Sequence, residues 1–129
     1  MTHNLAGKRI LIVEDEIIVA LDLANKITAD GAKAVGPVST VNAALDVIAN
    51  TELDGVILDV KLREEMAFLV ADVLADRHIP FIFMTALDAG DIPSRHANVR
   101  CVQKPVSTEV ICRALEATIF AAQDEASGR

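Results

Sequence analysis

Three short apolar runs constrain the fold of this 129-residue chain more than any other feature of its sequence. They span residues 10–13, 56–58 and 81–84, and none of them alternates between apolar and polar side chains. A strand with one face in water alternates, whereas a strand in a parallel sheet covered by helices on both faces is apolar throughout. The three runs therefore predict buried strands of a parallel sheet.

The segments between these runs carry apolar residues at helical spacing. A first helix should extend from residues 14–16 to about residue 30, where Gly31 can end it. A second should begin at a Ser39 or Thr40 cap, a third should span 65–77, and a last should follow a Ser107 cap. The predicted buried faces are Ile17, Leu21, Ala24 and Ile27; Val41, Ala44, Leu45 and Ile48; Met66, Leu69, Val70, Val73 and Leu74; and Val110, Ile111, Leu115 and Ile119.

Two weaker strands, at residues 33–36 and 99–103, complete the alternation of strands with helices, and the third strand should occupy 54–59. Such alternation predicts an α/β fold, a doubly wound parallel sheet of five strands in the order 2-1-3-4-5 with helices on both faces. The polar segment 85–98 carries Gly90 and Pro93, so the fourth helix should be short or mobile.

The charge and length of the chain exclude several classes of protein. With 12 Lys and Arg against 19 Asp and Glu, the net charge of −7 argues against general nucleic-acid binding. No apolar stretch is long enough to cross a bilayer, and residues 1–8 lack the apolar block of a signal peptide. We therefore expect a single cytoplasmic domain, residues 1–129, with a core at about 8–122 and short tails.

Cysteine and histidine residues give no indication of a metal site. Cys101 and Cys112 lack paired ligand spacing and are predicted to be reduced core thiols. His3, His78 and His96 are scattered, and surface positions are expected for them.

Acidic side chains follow two predicted strands at the point where each strand ends. Glu14 and Asp15 follow the first strand, and Asp59 ends the third. These strands are neighbours at the switch point of the predicted sheet, where ligands bind at the carboxyl ends. Three carboxylates would repel one another there unless a cation intervened, and oxygen ligands suit Mg²⁺. Two simpler interpretations stay open: Asp59 as a turn residue, and residues 14–16 as an acidic first helical turn.

Strands four and five end in a hydroxyl and an ammonium group. Thr85 directly follows strand four and Lys104 follows strand five, so both should face the same crevice as Asp59. Each alone has a simpler interpretation, as a turn residue and as a solvated lysine. Pro105 favours a fixed turn, which X-Pro bonds can form in the cis state. Polar groups at four successive strand ends together indicate a functional site.

In order and spacing, Glu14-Asp15, Asp59, Thr85 and Lys104-Pro105 resemble the receiver domain of bacterial two-component response regulators, which has a flavodoxin-like fold. The likeness covers residues 8–122. It implies that Asp59 accepts a phosphoryl group from a phosphohistidine on a sensor histidine kinase or histidine phosphotransfer protein. It further implies a Mg²⁺ site made of Glu14, Asp15, Asp59 and the backbone carbonyl of Lys61, with Thr85 as the switch hydroxyl and Lys104 as the phosphate's counter-charge.

Three departures from the family pattern leave parts of this assignment open. Cys101 stands three positions before the lysine, where many receivers carry an aromatic residue. The loop after Asp59 has Arg63 and Ala67 in place of a common Pro and Gly. The segment between strands four and five has no helical stripe. Residues 80–85 resemble a subgroup of stand-alone receivers, best known from alphaproteobacteria, with a mobile fourth helix, but Ala86-Leu87 replaces that subgroup's Gly and aromatic.

The leading hypothesis is a single-domain response regulator that signals by contact with another protein. It would assist its own Mg²⁺-dependent phosphotransfer and dephosphorylation without being an enzyme otherwise, and its partner surface would lie around residues 85–101 and the last helix. The alternative is a pseudo-receiver that binds partners without phosphorylation. A flavodoxin is disfavoured because residues 14–16 would repel the phosphate of FMN, and an aspartyl phosphatase because Lys61 stands where its second acid belongs.

Overall fold

The structure, a computed structural model that describes residues 5–86 and 89–127, is built on one five-stranded sheet. Its strands are β1 (Arg9–Val13), β2 (Lys33–Val38), β3 (Gly55–Asp59), β4 (Phe81–Thr85) and β5 (Cys101–Gln103). All the strand pairs are parallel and the spatial order is β2-β1-β3-β4-β5, so the predicted flavodoxin-like topology is confirmed.

Helices cover both faces of this sheet. On one face lie α1 (Ile17–Ala29) and α4 (Thr108–Ser127), and on the other lie α2 (Val41–Asn50) and α3 (Phe68–Asp76). Every residue of β3 and β4 is buried, because both faces of these central strands are covered. Side chains that point to alternate faces therefore supply two separate cores.

Side-chain caps begin two of the helices as predicted. The Oγ1 of Thr40 accepts a hydrogen bond from the N–H of Ala43 at 3.1 Å at the start of α2, and the Oγ of Ser107 accepts from Val110 at 3.2 Å before α4. None of the helices in the described part of the chain has the length and apolar character that crossing a membrane requires.

The buried face of α1 differs from the predicted one. The side chains of Ile17 and Leu21 are 68% and 49% exposed, whereas Ala20 and Leu23 are buried beside the correctly predicted Ile27. Apolar residues occupy more than one stripe of this helix, so periodicity alone allows two orientations. Contacts with β2 and α4 select the stripe that contains residues 20, 23 and 27.

The third helix begins three residues later than predicted, because the chain first forms a hairpin. Residues 61–62 and 65–66 pair as short antiparallel strands, with Leu62 opposite Glu65, and Arg63 adopts a φ of 57°. We call residues 61–66 the hairpin. Met66 within it and Leu69 in α3 are 42% and 56% exposed, contrary to the prediction that both are buried. The residues of α3 that are buried are Val70, Ala71 and Leu74.

The segment between β4 and β5 forms only single turns of 3₁₀-helix, Ala89–Asp91 and Ser94–His96. The described residues of this segment contain no α-helix, and the fourth helix is reduced to short turns, as predicted. Pro93 lacks the N–H that a continuous helix would need at that position. Leu87, one of the two departures noted after Thr85, lies outside the described residues, as does His3.

The bounds of two strands also differ from the predicted ones. β2 continues through Pro37 to Val38, which an edge strand tolerates because its outer N–H groups have no strand partner. β5 starts at Cys101 because the N–H of Val99 instead donates to the carbonyl of His96 in the preceding turn. Val110 on α4, predicted to be buried, is 45% exposed.

Candidate functional site

Three carboxylates meet at the carboxyl edge of the central strands. Asp59 is the last residue of β3, and Glu14 and Asp15 directly follow β1, its parallel neighbour. One carboxylate oxygen from each of the three lies within 4.8 Å of the others. Glu14 and Asp59 are only 2% and 5% exposed, while Asp15 is half-buried. Such a group of oxygen atoms suits a hard divalent cation.

Lys104 carries its charge into the middle of this cluster. Its Nζ lies 2.9 Å from Oδ2 of Asp59 and 2.8 Å from an oxygen of each of Glu14 and Glu16. The peptide bond between Lys104 and Pro105 is cis. Burial alone would lower the pKa of Lys104, but its contacts with the three carboxylates outweigh burial and raise it. The ammonium group is therefore charged at every physiological pH.

Glu16 is a contact that the sequence reasoning missed. The sequence favours the interpretation of Glu16 as an acid of the first helical turn. In the structure its side chain makes no capping hydrogen bond to α1 and instead pairs with Lys104. The pairing arises because residues 14–16 turn from β1 into α1 at the edge of the sheet where β5 ends. Because acids are common at the start of helices, no separate signal in the sequence indicated the contact between Glu16 and Lys104.

Glu14 is a buried acid with only one of its two carboxylate oxygens hydrogen-bonded within the described part of the chain. Its Oε2 accepts a hydrogen bond from the N–H of Glu16 at 2.8 Å. Its Oε1 lies 2.8 Å from Nζ of Lys104 outside hydrogen-bonding geometry, and this buried oxygen has no hydrogen-bond partner among the described residues. Burial raises the pKa of Glu14 to about 7, and the charge of Asp59 adds to the rise while Lys104 opposes it. A buried oxygen without a hydrogen bond fits a cation ligand.

This raised pKa predicts pH-dependent metal binding. Protons and Mg²⁺ compete for the Glu14 carboxylate, so Mg²⁺ affinity should fall about tenfold from about pH 8 to about pH 6. Isothermal titration at several pH values measures the effect. In Glu14→Gln the affinity should be lower and nearly independent of pH over that range. A wild-type affinity that is flat with pH would contradict the prediction.

Asp15, Glu16 and Asp59 line a crevice of about 280 Å³. Thr85, the last residue of β4, lies in its wall and is fully buried, and the N–H of Lys104 donates to the carbonyl of Thr85 at 2.7 Å. The hydroxyl and ammonium groups predicted from the strand ends thus belong to one site. The crevice is lined by Asp15, Glu16, Asp59, Lys61, Arg63, Thr85, Ala86 and Lys104.

The hairpin closes one side of the crevice through its backbone. The N–H of Lys61 donates to Oδ1 of Asp59 at 3.2 Å, and the N–H of Arg63 donates to Oδ2 of Asp15 at 2.8 Å. These bonds orient two of the three clustered carboxylates. The role implied for the backbone carbonyl of Lys61 stays a prediction.

His96 is buried, contrary to the surface position predicted for it. Only 4% of it is exposed, its ring stacks near Phe68 with centroids 6.3 Å apart, and it meets the edge of Phe83. Its Nε2 lies 2.7 Å from Oδ1 of Asp72, and because a carboxylate only accepts, the ring N–H is the donor. Hydrogen bonds from Arg95 and then His96 lower the pKa of Asp72 despite some opposition from burial.

Truncation of this histidine should destabilise the fold. His96→Ala removes a buried ring and leaves Asp72 with one partner fewer, so we expect a loss of about 2–3 kcal/mol in unfolding free energy. Urea denaturation followed by circular dichroism measures it. His78→Asn is the control, because His78 is exposed with a φ of 59°, a conformation that Asn tolerates. Equal stabilities for the two variants would refute the role of His96.

No protein-family model matches the chain, but solved structures do. It is 36% identical to SdrG from Sphingomonas melonis Fr1, covering 88% of this chain and 97% of that one, with a TM-score of 0.76. The response regulator PhyR from Brucella abortus shares the fold at 24% identity and a TM-score of 0.81, covering 98% of this chain and 55% of that one.

Among curated proteins, the transcriptional regulatory protein PdtaR of Mycobacterium tuberculosis is 28% identical over 116 residues. The match covers 87% of this chain and 57% of PdtaR, so the chain spans somewhat more than half the length of this relative.

Proposed function

Because this chain belongs to the receiver domains of response regulators, we propose that it accepts a phosphoryl group on Asp59 from a phosphohistidine of a sensor histidine kinase or histidine phosphotransfer protein. One observation carries the proposal: Asp59 ends β3 in a crevice beside two further carboxylates and the ammonium group of Lys104. A lone turn aspartate would need none of these neighbours. PhyR and PdtaR, which are named as regulators, support the same class of function.

The transfer would use Asp59 as the nucleophile. A carboxylate oxygen of Asp59 forms a bond to phosphorus while the bond from phosphorus to the donor's imidazole nitrogen breaks, and the imidazole leaves with that electron pair and retains a proton. Phosphoryl transfer depends mainly on positioning and charge neutralisation. The hydrogen bond from the Lys61 N–H to Oδ1 orients the carboxylate, and Lys104 at Oδ2 offsets the charge of the incoming oxygens.

Glu14, Asp15, Asp59 and the Lys61 carbonyl would hold the divalent cation. When bound, Mg²⁺ supplies positive charge that offsets repulsion between the carboxylates and the phosphoryl oxygens. The buried Oε1 of Glu14, which accepts no hydrogen bond from the residues that the structure describes, is available as a ligand. The hydrogen bond from the N–H of Arg63 orients the carboxylate of Asp15. The same charge distribution favours hydrolysis of the acyl phosphate by water.

Thr85 would turn phosphorylation into a change of surface. Its position in the crevice wall allows its hydroxyl to donate to a phosphoryl oxygen, which draws the end of β4 inward. The segment after Thr85 leads through Arg95 and His96 to α3, because both residues bond to Asp72. We propose that residues 89–101 and α4 form the surface that another protein contacts.

Phosphorylation in vitro tests the proposal. The protein is incubated with Mg²⁺ and acetyl phosphate, or with a phosphorylated kinase, and its intact mass is measured. Borohydride reduction of the acyl phosphate then identifies the modified residue by peptide mass. Label on Asp59 that requires Mg²⁺ is the expected result. If no label formed with any donor, or if it lay on another residue, the proposal would fail.

A second candidate is a pseudo-receiver that binds its partner without phosphorylation. The loop after Asp59 favours it, because this chain carries Arg63 and Ala67 where receivers commonly have Pro and Gly. This candidate predicts that Asp59→Asn leaves partner binding unchanged, whereas a phosphorylation-dependent regulator loses the response.

A further inference from the structure

The hairpin places an arginine at the mouth of the crevice in an unusual conformation. Arg63 has a φ of 57°, and His78 is the other non-glycine residue with a positive φ in the described ranges. Non-glycine residues seldom adopt this conformation unless the surroundings impose it, and such outliers concentrate at functional sites. Here the N–H bond to Asp15 and the pairing of Leu62 with Glu65 impose it. The backbone of Arg63 is therefore fixed next to the acidic cluster.

The crevice needs a positive charge that Lys104 does not supply in full. Lys104 already contacts Glu14 and Glu16 as well as Asp59, so a phosphoryl group on Asp59 must share it with two other carboxylates. At neutral pH the phosphoryl oxygens add roughly two further negative charges to the crevice. Arg63 lines the open side of the same crevice, and its side chain is exposed.

We propose that Arg63 is a second phosphoryl-binding cation, which acts from the open side of the crevice while Lys104 acts from the buried side. The inference rests on the proposed function, phosphoryl acceptance at Asp59. A guanidinium group matches two oxygens of a phosphoryl group at once, and it stays charged at all relevant pH values. The short distance of the Arg63 backbone from Asp15 keeps the side chain within reach of the phosphoryl position.

The inference makes two predictions of opposite sign for Arg63→Gly. Glycine adopts a φ of 57° without strain and keeps the N–H that binds Asp15, so the variant removes the guanidinium alone. Affinity for a phosphoryl analogue should fall about tenfold, because a charge-assisted contact is lost. Affinity for Mg²⁺ should stay equal or rise about twofold, because a positive charge near the cation is gone. A merely structural role, in which the hairpin loosens, would weaken both.

The experiment titrates Mg²⁺ alone, and then beryllofluoride at saturating Mg²⁺, into uniformly ¹⁵N-labelled protein. The chain has no Trp or Tyr, so amide chemical shifts in NMR spectra are followed instead of fluorescence. Arg63→Lys should recover part of the beryllofluoride affinity. Arg100→Ala is the control for net charge, since Arg100 is exposed at the opposite edge of the sheet, before β5.

Each outcome decides the question. Weaker beryllofluoride binding with unchanged or tighter Mg²⁺ binding in Arg63→Gly supports the inference. Beryllofluoride affinity equal to that of Arg100→Ala, or a joint loss of both affinities, overturns it while leaving the proposed function intact. Wild-type protein that binds neither Mg²⁺ nor beryllofluoride would instead refute the proposed function, and the inference with it.

Discussion

Asp59→Asn should abolish phosphoryl labelling and at the same time make the metal-free protein more stable. The amide has no nucleophilic oxygen anion, so no acyl phosphate forms at any Mg²⁺ concentration. Intact mass after incubation with acetyl phosphate should show no gain. Residual label in the variant would mean that another side chain is the acceptor.

The gain in stability follows from the charges around Asp59. In the metal-free protein, Asp59 and Glu14 are buried close together, and the charge of Asp59 contributes to the raised pKa of Glu14. Asparagine removes this repulsion and its one oxygen can accept from Lys104, but the N–H of Lys61 then loses its acceptor, which offsets part of the gain. We expect a gain of about 1–2 kcal/mol in unfolding free energy, measured by denaturation in EDTA. A less stable variant would contradict this account.

Asp72→Asn is the matched control for this substitution. It removes the same charge, but from a carboxylate that holds favourable bonds with Arg95 and His96 and whose pKa they lower. Its stability should therefore fall, and the loss should shrink as the pH drops, because protonation of Asp72 in the wild type removes the same charge. Phosphoryl labelling at Asp59 should persist.

Lys104→Met should slow phosphotransfer by about 100-fold or more, because the ammonium group no longer offsets charge that builds up on the phosphoryl oxygens. It should also destabilise the metal-free fold by about 3 kcal/mol, because Glu14 and Asp59 stay buried without their shared cation. Labelling rates and unfolding curves in EDTA measure the two effects.

Mg²⁺ provides the diagnostic comparison for Lys104. Because the metal replaces the missing positive charge, it should raise the melting temperature of Lys104→Met more than that of the wild type. Lys26→Met is the control: Lys26 bridges α1 and α4 through Glu109 at the surface, far from the crevice, and its loss should leave labelling unchanged. An equal Mg²⁺ response in Lys104→Met and wild type would contradict the assignment.

The topology followed from residues whose environment is set locally. The run 56–58 lacks alternation, which only a strand covered on both faces permits, and Asp59 at its end could emerge only at the carboxyl edge of the sheet. Once the strand order was inferred, Glu14, Thr85 and Lys104 had to approach Asp59, whatever the details of the helices. The sequence therefore predicted Asp15, Asp59, Thr85 and Lys104 at the crevice, but not Glu16 or Arg63.

Other features depended on contacts between distant segments. Ile17 and Leu21 were as plausible as Ala20 and Leu23 for the inner face of α1, because only the positions of β2 and α4 distinguish them. The burial of His96 could not be predicted from the sequence either. It requires Asp72, 24 positions earlier in the chain, as its acceptor, and the polar segment around it resembled an exposed loop.

The hydrogen bond from the Lys104 N–H to the Thr85 carbonyl joins the ends of two neighbouring strands, β4 and β5, which carry two different functional groups of the site. Since this bond is 2.7 Å long and continues the β4–β5 ladder, neither residue can shift without displacing the other's backbone. If Thr85 acts as the proposed switch, its movement should therefore also displace the backbone of Lys104, whose ammonium group contacts three carboxylates. We therefore expect the rearrangement of charge around Lys104 and the movement at the end of β4 to occur together.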